Sequence, residues 1–475
     1  MTYFVDILIT DDDDGDITNG SPNGYALYEQ FGRHGIGPGV TPDFSTKKLL
    51  YDDDQSGADG NGNNLWEAGE IIRLEIELFR AGSLYPPAAE NVQIELTCDH
   101  PSVELIRSMA GYGDMRVDDR QQGDQPFLFG IREDAELSFA DFTMIITAED
   151  FRQDTTFRIP IGRPPILLVR DGRHEWDYTS FFEESLDGME LVYDQLRLAD
   201  PIFPVEQRLE MFNTVIWFTG DARDDILQRD DREALEDFLD GGGNLLLTGQ
   251  SAGTANGSQD FFRDYLGAIN TIDSVRHFDV LGVEDDPASN ELWLLLTGSP
   301  GAMNQRRPGA VRAIEPAVEI FHWTERVEEP PAAGVRRIDP RSGARTIYLS
   351  FGLEAVSGRG PTDNMQTALG QMLQWLDVPV SVVDEAVQPT SFEILTPYPN
   401  PFNSAITLQF RISHREAVNF SVYDLSGRVM ASGNMVAAVG LNEWSIDSAG
   451  WGSGVYFAVI QAQNRRQSFR LVHLK

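Results

Sequence analysis

The string Gly249-Gln250-Ser251-Ala252-Gly253 sets a serine hydroxyl among small residues, directly after the apolar run from Asn244 to Thr248. A serine on a tight turn at the end of a buried strand is the arrangement that exposes a nucleophilic hydroxyl. Such a hydroxyl stays weak until a neighbouring base takes its proton. Histidines stand at 34, 100, 174, 277, 322, 414 and 473, and nothing in their spacing brings one to Ser251. None of them opens a His-Glu-x-x-His string, so the chemistry of a zinc peptidase has no ligands in this sequence. Ser251 is the one candidate catalytic residue. The alternative for it is a strand-to-helix turn that merely requires small side chains.

Oxygen ligands form the second pattern. In the loop from Asp59 to Glu70, Asp59, Asn61 and Asn63 occupy positions 1, 3 and 5 of a twelve-residue layout. Leu65 offers its carbonyl at position 7, Glu67 stands at 9 and Glu70 at 12. Oxygens at those positions converge on a hard cation, and calcium is the expected cofactor. Position 6, usually glycine, is Asn64, a residue that tolerates the left-handed conformation. A shorter acidic string, Asp12, Asp14 and Asp16, has the same opening but Asn23 at its twelfth position. Asp171, Asp221, Asp224 and Asp225 follow apolar runs and form either a solvated rim or a cation or sugar site. The aromatic residues Trp176, Tyr178, Phe181 and Phe182 read as core, with a binding platform as the alternative.

The elements that position these groups fall into blocks. Residues 1–40 hold a short apolar segment, Tyr3 to Ile9, and an amphipathic helix from Gly24 to about His34. Residues 41–163 alternate apolar and polar positions in Ile71 to Leu78, Val92 to Thr97 and Phe142 to Thr147, which predicts an antiparallel β-sandwich. In residues 164–378 four continuous apolar runs, Ile166 to Val169, Val215 to Phe218, Asn244 to Thr248 and Thr346 to Phe351, alternate with helical patterns. The helices are expected at 178–186, 229–239, 261–266 and 364–376. Buried strands alternating with helices predict a parallel sheet with helices on both faces, a flavodoxin-like three-layer α/β domain. Residues 379–391 read as a linker. Residues 392–475 return to short alternating strands and predict a small immunoglobulin-like β-sandwich. The fold class is therefore multidomain.

Charge and cysteine content limit the function. Lys and Arg total 37 against 75 Asp and Glu, a formal charge of −38. Nucleic-acid binding needs a basic footprint and is not expected. The imbalance lies upstream: from Phe392 onward seven Lys/Arg face five Asp/Glu. The single cysteine, Cys98, excludes an intrachain disulfide. No run of apolar residues is long enough for a transmembrane segment. The start lacks the basic and apolar regions of a signal peptide, so the chain is expected to begin inside a longer protein.

Four resemblances follow. Tyr398-Pro399-Asn400-Pro401-Phe402-Asn403, then the block from Phe420 through Asp424, Gly427 and Arg428, then Gly454-Val455-Tyr456-Phe457 and a basic end at Lys475 resemble the type A sorting domain of type IX secretion cargo. That resemblance implies passage through the periplasm, recognition by the outer-membrane type IX machinery, and release or display at the outer cell surface. The 164–378 domain resembles the class I glutamine-amidotransferase-like fold, in which a late strand ends in His-x-Glu. Here Gly352 stands where the histidine would be and Glu354 remains, which implies a non-catalytic member. The segment from Asp14 to Gly37 resembles the tail of secreted thermolysin- or fungalysin-like metallopeptidases, which makes residues 1–40 a remnant of an upstream domain. The 41–163 sandwich resembles the spacers of large secreted bacterial proteins. The leading reading is a non-catalytic accessory region of a secreted peptidase. The alternatives are a surface adhesion or glycan-binding protein, with a surface glycan or peptide as ligand, and a hydrolase dependent on Ser251.

Overall fold

The computed structural model describes residues 2–15, 21–34, 42–52, 57–82, 88–149, 151–171, 176–198, 204–254, 259–324, 329–360, 362–380, 393–394, 400, 402–412, 416–424, 428–437, 440–448, 450–462 and 465–474. The chain divides into two compact units, Met1–Val380 and Ser381–Lys475.

The first unit opens with two helices, Thr2–Asp11 and Gly24–Arg33. The apolar segment at the start is helical, and Phe4 and Leu8 pack on Tyr28 in a small core of their own. Two antiparallel sheets follow. One contains the strands Pro42–Asp52, Ile71–Gly82, Phe127–Ile131, Val103–Arg107 and Arg120–Gln122; the other contains Met109–Arg116, Ala88–Cys98, Ser138–Ala148 and Phe151–Ile161. The alternation in Ile71–Gly82 sends Ile72, Leu74, Ile76 and Leu78 inward to meet Ile94, Leu96, Phe142 and Met144 of the facing sheet. This is the two-sheet sandwich that period-2 patterning dictates. Trp66, from the loop before Ile71, plugs one part of this core at 4.3 Å from the Phe129 ring.

The rest of the first unit is built on an eleven-stranded sheet. Its parallel part runs Tyr193–Arg197, Ile166–Arg170, Thr214–Phe218, Asn244–Thr248, Arg345–Leu349. In chain order this is second, first, third, fourth, fifth. Both faces are covered, which is why the inner strands Ile166–Arg170, Thr214–Phe218 and Asn244–Thr248 are mostly apolar, whereas the edge strand Tyr193–Arg197 is not. Ile166, Leu168, Ile216 and Phe218 face a core closed by the helices Thr179–Gly188 and Met365–Trp375. Leu167, Val169, Val215 and Trp217 face the opposite core, closed by Leu209 and by Leu235, Phe238 and Leu239 of the helix Arg229–Asp240. That helix starts at a capping box between Gln228 and Asp231 and stops at Gly241.

The sheet continues beyond Arg345–Leu349 as an antiparallel half that the periodicity does not predict. Ala332–Ile338, Val318–Trp323, Asp279–Gly282 and Trp293–Leu295 extend it in that order, and Ala310–Ala313 pairs both Ala332–Ile338 and Ala268–Ile272. The expected 261–266 helix is a short helical piece Gln259–Phe261 followed by a π-type turn, Phe262–Leu266, closed by the left-handed Gly267. The aromatic cluster is a further correction. Phe182 is buried in the core, whereas Trp176 is 70% exposed, because it precedes the helix and stands on the rim of the sheet.

The second unit carries a three-stranded sheet, Glu393–Ile394, Ala405–Ile412, Gly440–Asp447, and a four-stranded one, Val429–Ala437, Glu416–Tyr423, Gly454–Ala462, Arg465–His473. Ile406, Leu408 and Ile446 of the first meet Val418, Phe420, Ala458 and Ile460 of the second in a common core.

Candidate functional site

Carboxyl ends of parallel strands are where sheets of this kind present ligand crevices, at the point where strand order reverses. Here that point lies between Ile166–Arg170 and Thr214–Phe218. A cavity of about 510 Å³ opens there, lined by Trp176, Asp221, Ala222, Arg223, Asp224, Gln250 and Arg306. A second cavity, of about 570 Å³, shares Arg223 and Asp224 with it and extends to Arg232 and Thr254. The walls are fixed by buried polar contacts. Asp171, fully buried, accepts the indole N–H of Trp217 at 2.9 Å and the backbone N–H of Leu227 at 2.7 Å. Leu227 has φ of +47°, a conformation that a branched apolar residue adopts only when its surroundings hold it. Gly220, also left-handed at φ +57°, lies under the Tyr178 ring, which leaves no space for a side chain. The Tyr178 hydroxyl is pushed up to about 12 by burial and by the adjacent Asp221 carboxylate.

Ser251 lies at the end of Asn244–Thr248, as the sequence places it, but it is largely buried. Its carbonyl accepts the Thr254 N–H at 3.1 Å, closing the turn Ala252–Thr254. Among the described residues no imidazole bonds to its hydroxyl; His322 instead faces the Pro330 carbonyl and Glu319. The space beside the late strand is filled differently. Glu354 is wholly buried; its Oε1 accepts the Asn304 side-chain N–H at 2.6 Å and its Oε2 has no partner among the described residues. Burial pushes this carboxyl up to about 7, against the opposing effect of the Asn304 bond. A Cβ added at Gly352 would overlap Glu354 Oε1 and sit 2.6 Å from Gln305 Nε2. Gln305 in turn accepts the Gly352 N–H at 3.0 Å. Gln250, the residue before Ser251, binds the backbone N–H groups of Arg306 and Arg307 at 2.7 and 2.8 Å and donates to the Asn304 carbonyl. The segment 304–307 thus closes over the site. Sequence reasoning missed it because a Gly- and Pro-rich stretch without periodicity gives no signal.

The twelve-residue loop precedes the strand Ile71–Gly82. Asn64 is left-handed at φ +57°. Asn61 Oδ1 accepts the Asn63 N–H at 3.1 Å and Asn63 Oδ1 accepts the Leu65 N–H at 2.8 Å. Glu70 is buried, and its two oxygens accept the N–H groups of Asn61 and Glu67 at 3.2 and 3.0 Å. Glu67 is held by Arg163 and by the side-chain amides of Asn61 and Asn63, both at 2.6 Å. Arg163 keeps the Glu67 carboxyl below the usual carboxylate range. The donor types fit calcium, and Asp59 has no side-chain partner among the described residues. The carboxylates of Asp59, Glu67 and Glu70 are nonetheless not drawn together; among the described residues the one acidic group with oxygens within 4.8 Å of one another is Asp12, Asp13 and Asp14.

In the second unit the described residues of the terminal strings tie its first strands to its last. Asn400 donates to the Arg470 carbonyl at 2.9 Å and accepts the Val472 N–H at 2.8 Å. Phe402 is buried and bridges to the end of the last strand, accepting the Leu474 N–H at 2.8 Å. His473, which sequence reasoning passed over, is buried against Ser448 Oγ, the Gly452 carbonyl and the Asn403 carbonyl, all within 3.1 Å. Asp424 accepts both the backbone and guanidinium N–H of Arg428, closing the hairpin at 3.0 and 3.1 Å. Tyr456 donates to Gly452 at 2.8 Å, and Gly454 opens its strand opposite His473. Tyr398, Pro399, Pro401, Gly427 and Lys475 lie outside the described residues.

No curated protein sequence matches the chain. Among solved structures it is similar to native alpha-2-macroglobulin from Escherichia coli, at 10% identity over 27% of this chain and 17% of that one, with a TM-score of 0.19. It is similar to a glutamine amido transferase from Methylobacillus flagellatus at 12% identity, over 40% of this chain and 70% of that one, with a TM-score of 0.27. A FixG-related protein from Vibrio parahaemolyticus shares 11% identity over 25% of this chain and 95% of its own, at 0.16. Scores this low carry no argument. Among the described residues no helix is long and apolar enough to cross a membrane. Residues 396–473 match the family described as the secretion system C-terminal sorting domain. The protein carries a type IX sorting domain and is secreted or displayed at the outer cell surface.

Proposed function

We propose that residues 1–380 are a non-catalytic accessory region of a surface-delivered protein, working beside a secreted peptidase and resembling a glutamine-amidotransferase-like domain without its base. Calcium held by Asp59, Asn61, Asn63, Leu65, Glu67 and Glu70 would brace the preceding sandwich. The observation that carries the non-catalytic reading is the crowding at Gly352. A side chain at Gly352, where the resemblance would put an imidazole, would meet the ends of the Glu354 and Gln305 side chains. Without a base, the Ser251 hydroxyl is an ordinary alcohol. The peptidase association rests on the resemblance of the segment from Asp14 to Gly37, and on that of residues 216–221 and 244–250 to non-catalytic domains that accompany secreted peptidases.

A serine-directed fluorophosphonate probe tests this reading. The expected result is no labelling of the full chain and no ester or amide hydrolysis, with Ser251→Ala indistinguishable from the parent. Stoichiometric labelling that Ser251→Ala abolishes would establish a hydrolase instead.

A further inference from the structure

We infer that the crevice at the carboxyl ends of the parallel strands binds a neutral, hydroxyl-rich oligosaccharide, with Trp176 as its stacking face. The inference goes beyond the export reading and shares with the accessory reading only that the site binds without turnover.

The geometry excludes other ligand classes in turn. The two cavities, about 510 and 570 Å³, share Arg223 and Asp224 and so lie side by side along one open groove rather than in a closed pocket. Each lies in the size range of ligand sites, roughly 300–1,000 Å³. Charged and amide side chains dominate the lining, which disfavours an apolar ligand. Peptides are commonly bound by strand addition or in apolar side-chain pockets, and this groove is walled by loops that follow strand ends. A polyanion must approach a chain of charge −38, and the four arginines lining the two cavities, Arg223, Arg229, Arg232 and Arg306, are offset by Asp221, Asp224 and Asp225 and by the pairing of Arg229 with Glu233. What remains is a neutral ligand presenting many hydroxyls.

The lining suits that ligand. The guanidiniums of Arg223 and Arg306 enter no ion pair among the described residues and are free to donate in pairs. Asp221 and Asp224 accept. Trp176 exposes 70% of its surface at the mouth, while its backbone is anchored: Arg170 donates to the Trp176 carbonyl at 3.3 Å and to Asp177 at 2.7 Å. A flat apolar ring exposed beside hydrogen-bonding groups offers the C–H face of a pyranose a partner.

The full chain is titrated with cellohexaose, maltohexaose, mannohexaose and, as the anionic arm, oligogalacturonate, reading tryptophan fluorescence and isothermal calorimetry. At least one neutral oligosaccharide is expected to bind and to perturb the fluorescence. Trp176→Ala should weaken it by roughly tenfold, the order expected for a lost stacking contact. Arg306→Ala should weaken it as well. Both side chains are exposed, so circular dichroism should be unchanged. Binding confined to oligogalacturonate, binding indifferent to Trp176→Ala, or no binding by any of the four overturns the inference. Fluorophosphonate labelling is read separately, so failure here leaves the status of Ser251 intact.

Discussion

Glu354 shows how one residue can be legible while its state is not. Its position two residues after Gly352 is plain in the sequence, but its burial follows from Asn304 and Gln305, which come from a segment with no pattern. Enclosure without a counter-charge raises its carboxyl to about 7, above the ordinary value near 4.5. The folded protein therefore binds a proton that the unfolded chain has lost between those values. Stability linked to this group is complete below about pH 4.5, declines as pH rises through 7, and stays low above it. Glu354→Gln keeps the shape and removes the charge, with an expected gain on the order of 1–3 kcal/mol at pH 8 that vanishes near pH 4. Chemical denaturation at the two pH values measures it. An equal effect at both would show that charge is not the cause. Trp176 is the opposite case. Its type suggested core, and only the structure places it on the rim, because a run of aromatic residues does not say where the helix begins.

At the scale of elements, the parallel strands were readable because burial on both faces makes them continuous apolar runs, as in Ile166–Arg170 and Asn244–Thr248. The antiparallel half was not. Strands such as Ala310–Ala313 and Ala332–Ile338 mix small and charged residues and are placed by long-range pairing rather than local preference. The twelve-residue loop was read as a calcium site from spacing alone, and the structure adds a competitor that spacing could not reveal. Arg163, from beyond the last sandwich strand, holds Glu67. Millimolar calcium is expected to raise the melting temperature by a few degrees through mass action. Chelator should reverse the shift, and Glu70→Gln combined with Asp59→Asn should remove it. Arg163→Ala should enlarge the shift, since Glu67 is then released to the ion. A melting curve insensitive to calcium and chelator in the parent chain would dismiss the site.

For the whole molecule, the division into Met1–Val380 and Ser381–Lys475 separates a strongly acidic body from an end in which acidic and basic residues balance. The sorting domain was the most legible part of the chain because its strings occur in order within one short stretch. The structure gives a physical role to the described members: Asn400, Phe402, Asp424 and Tyr456 secure hairpins and the last strand, with His473 buried among them. A surface that machinery can read then depends on that last strand being held. The direct measurement is a transplant. Residues 379–475 are fused to a fluorescent protein bearing a signal peptide, in a host with the type IX machinery, and the cell surface and medium are assayed for fluorescence. Delivery outside the cell is predicted, and its loss when the last ten residues are deleted. Retention of the intact fusion in the periplasm, while an established sorting domain exports the same reporter, would contradict the account.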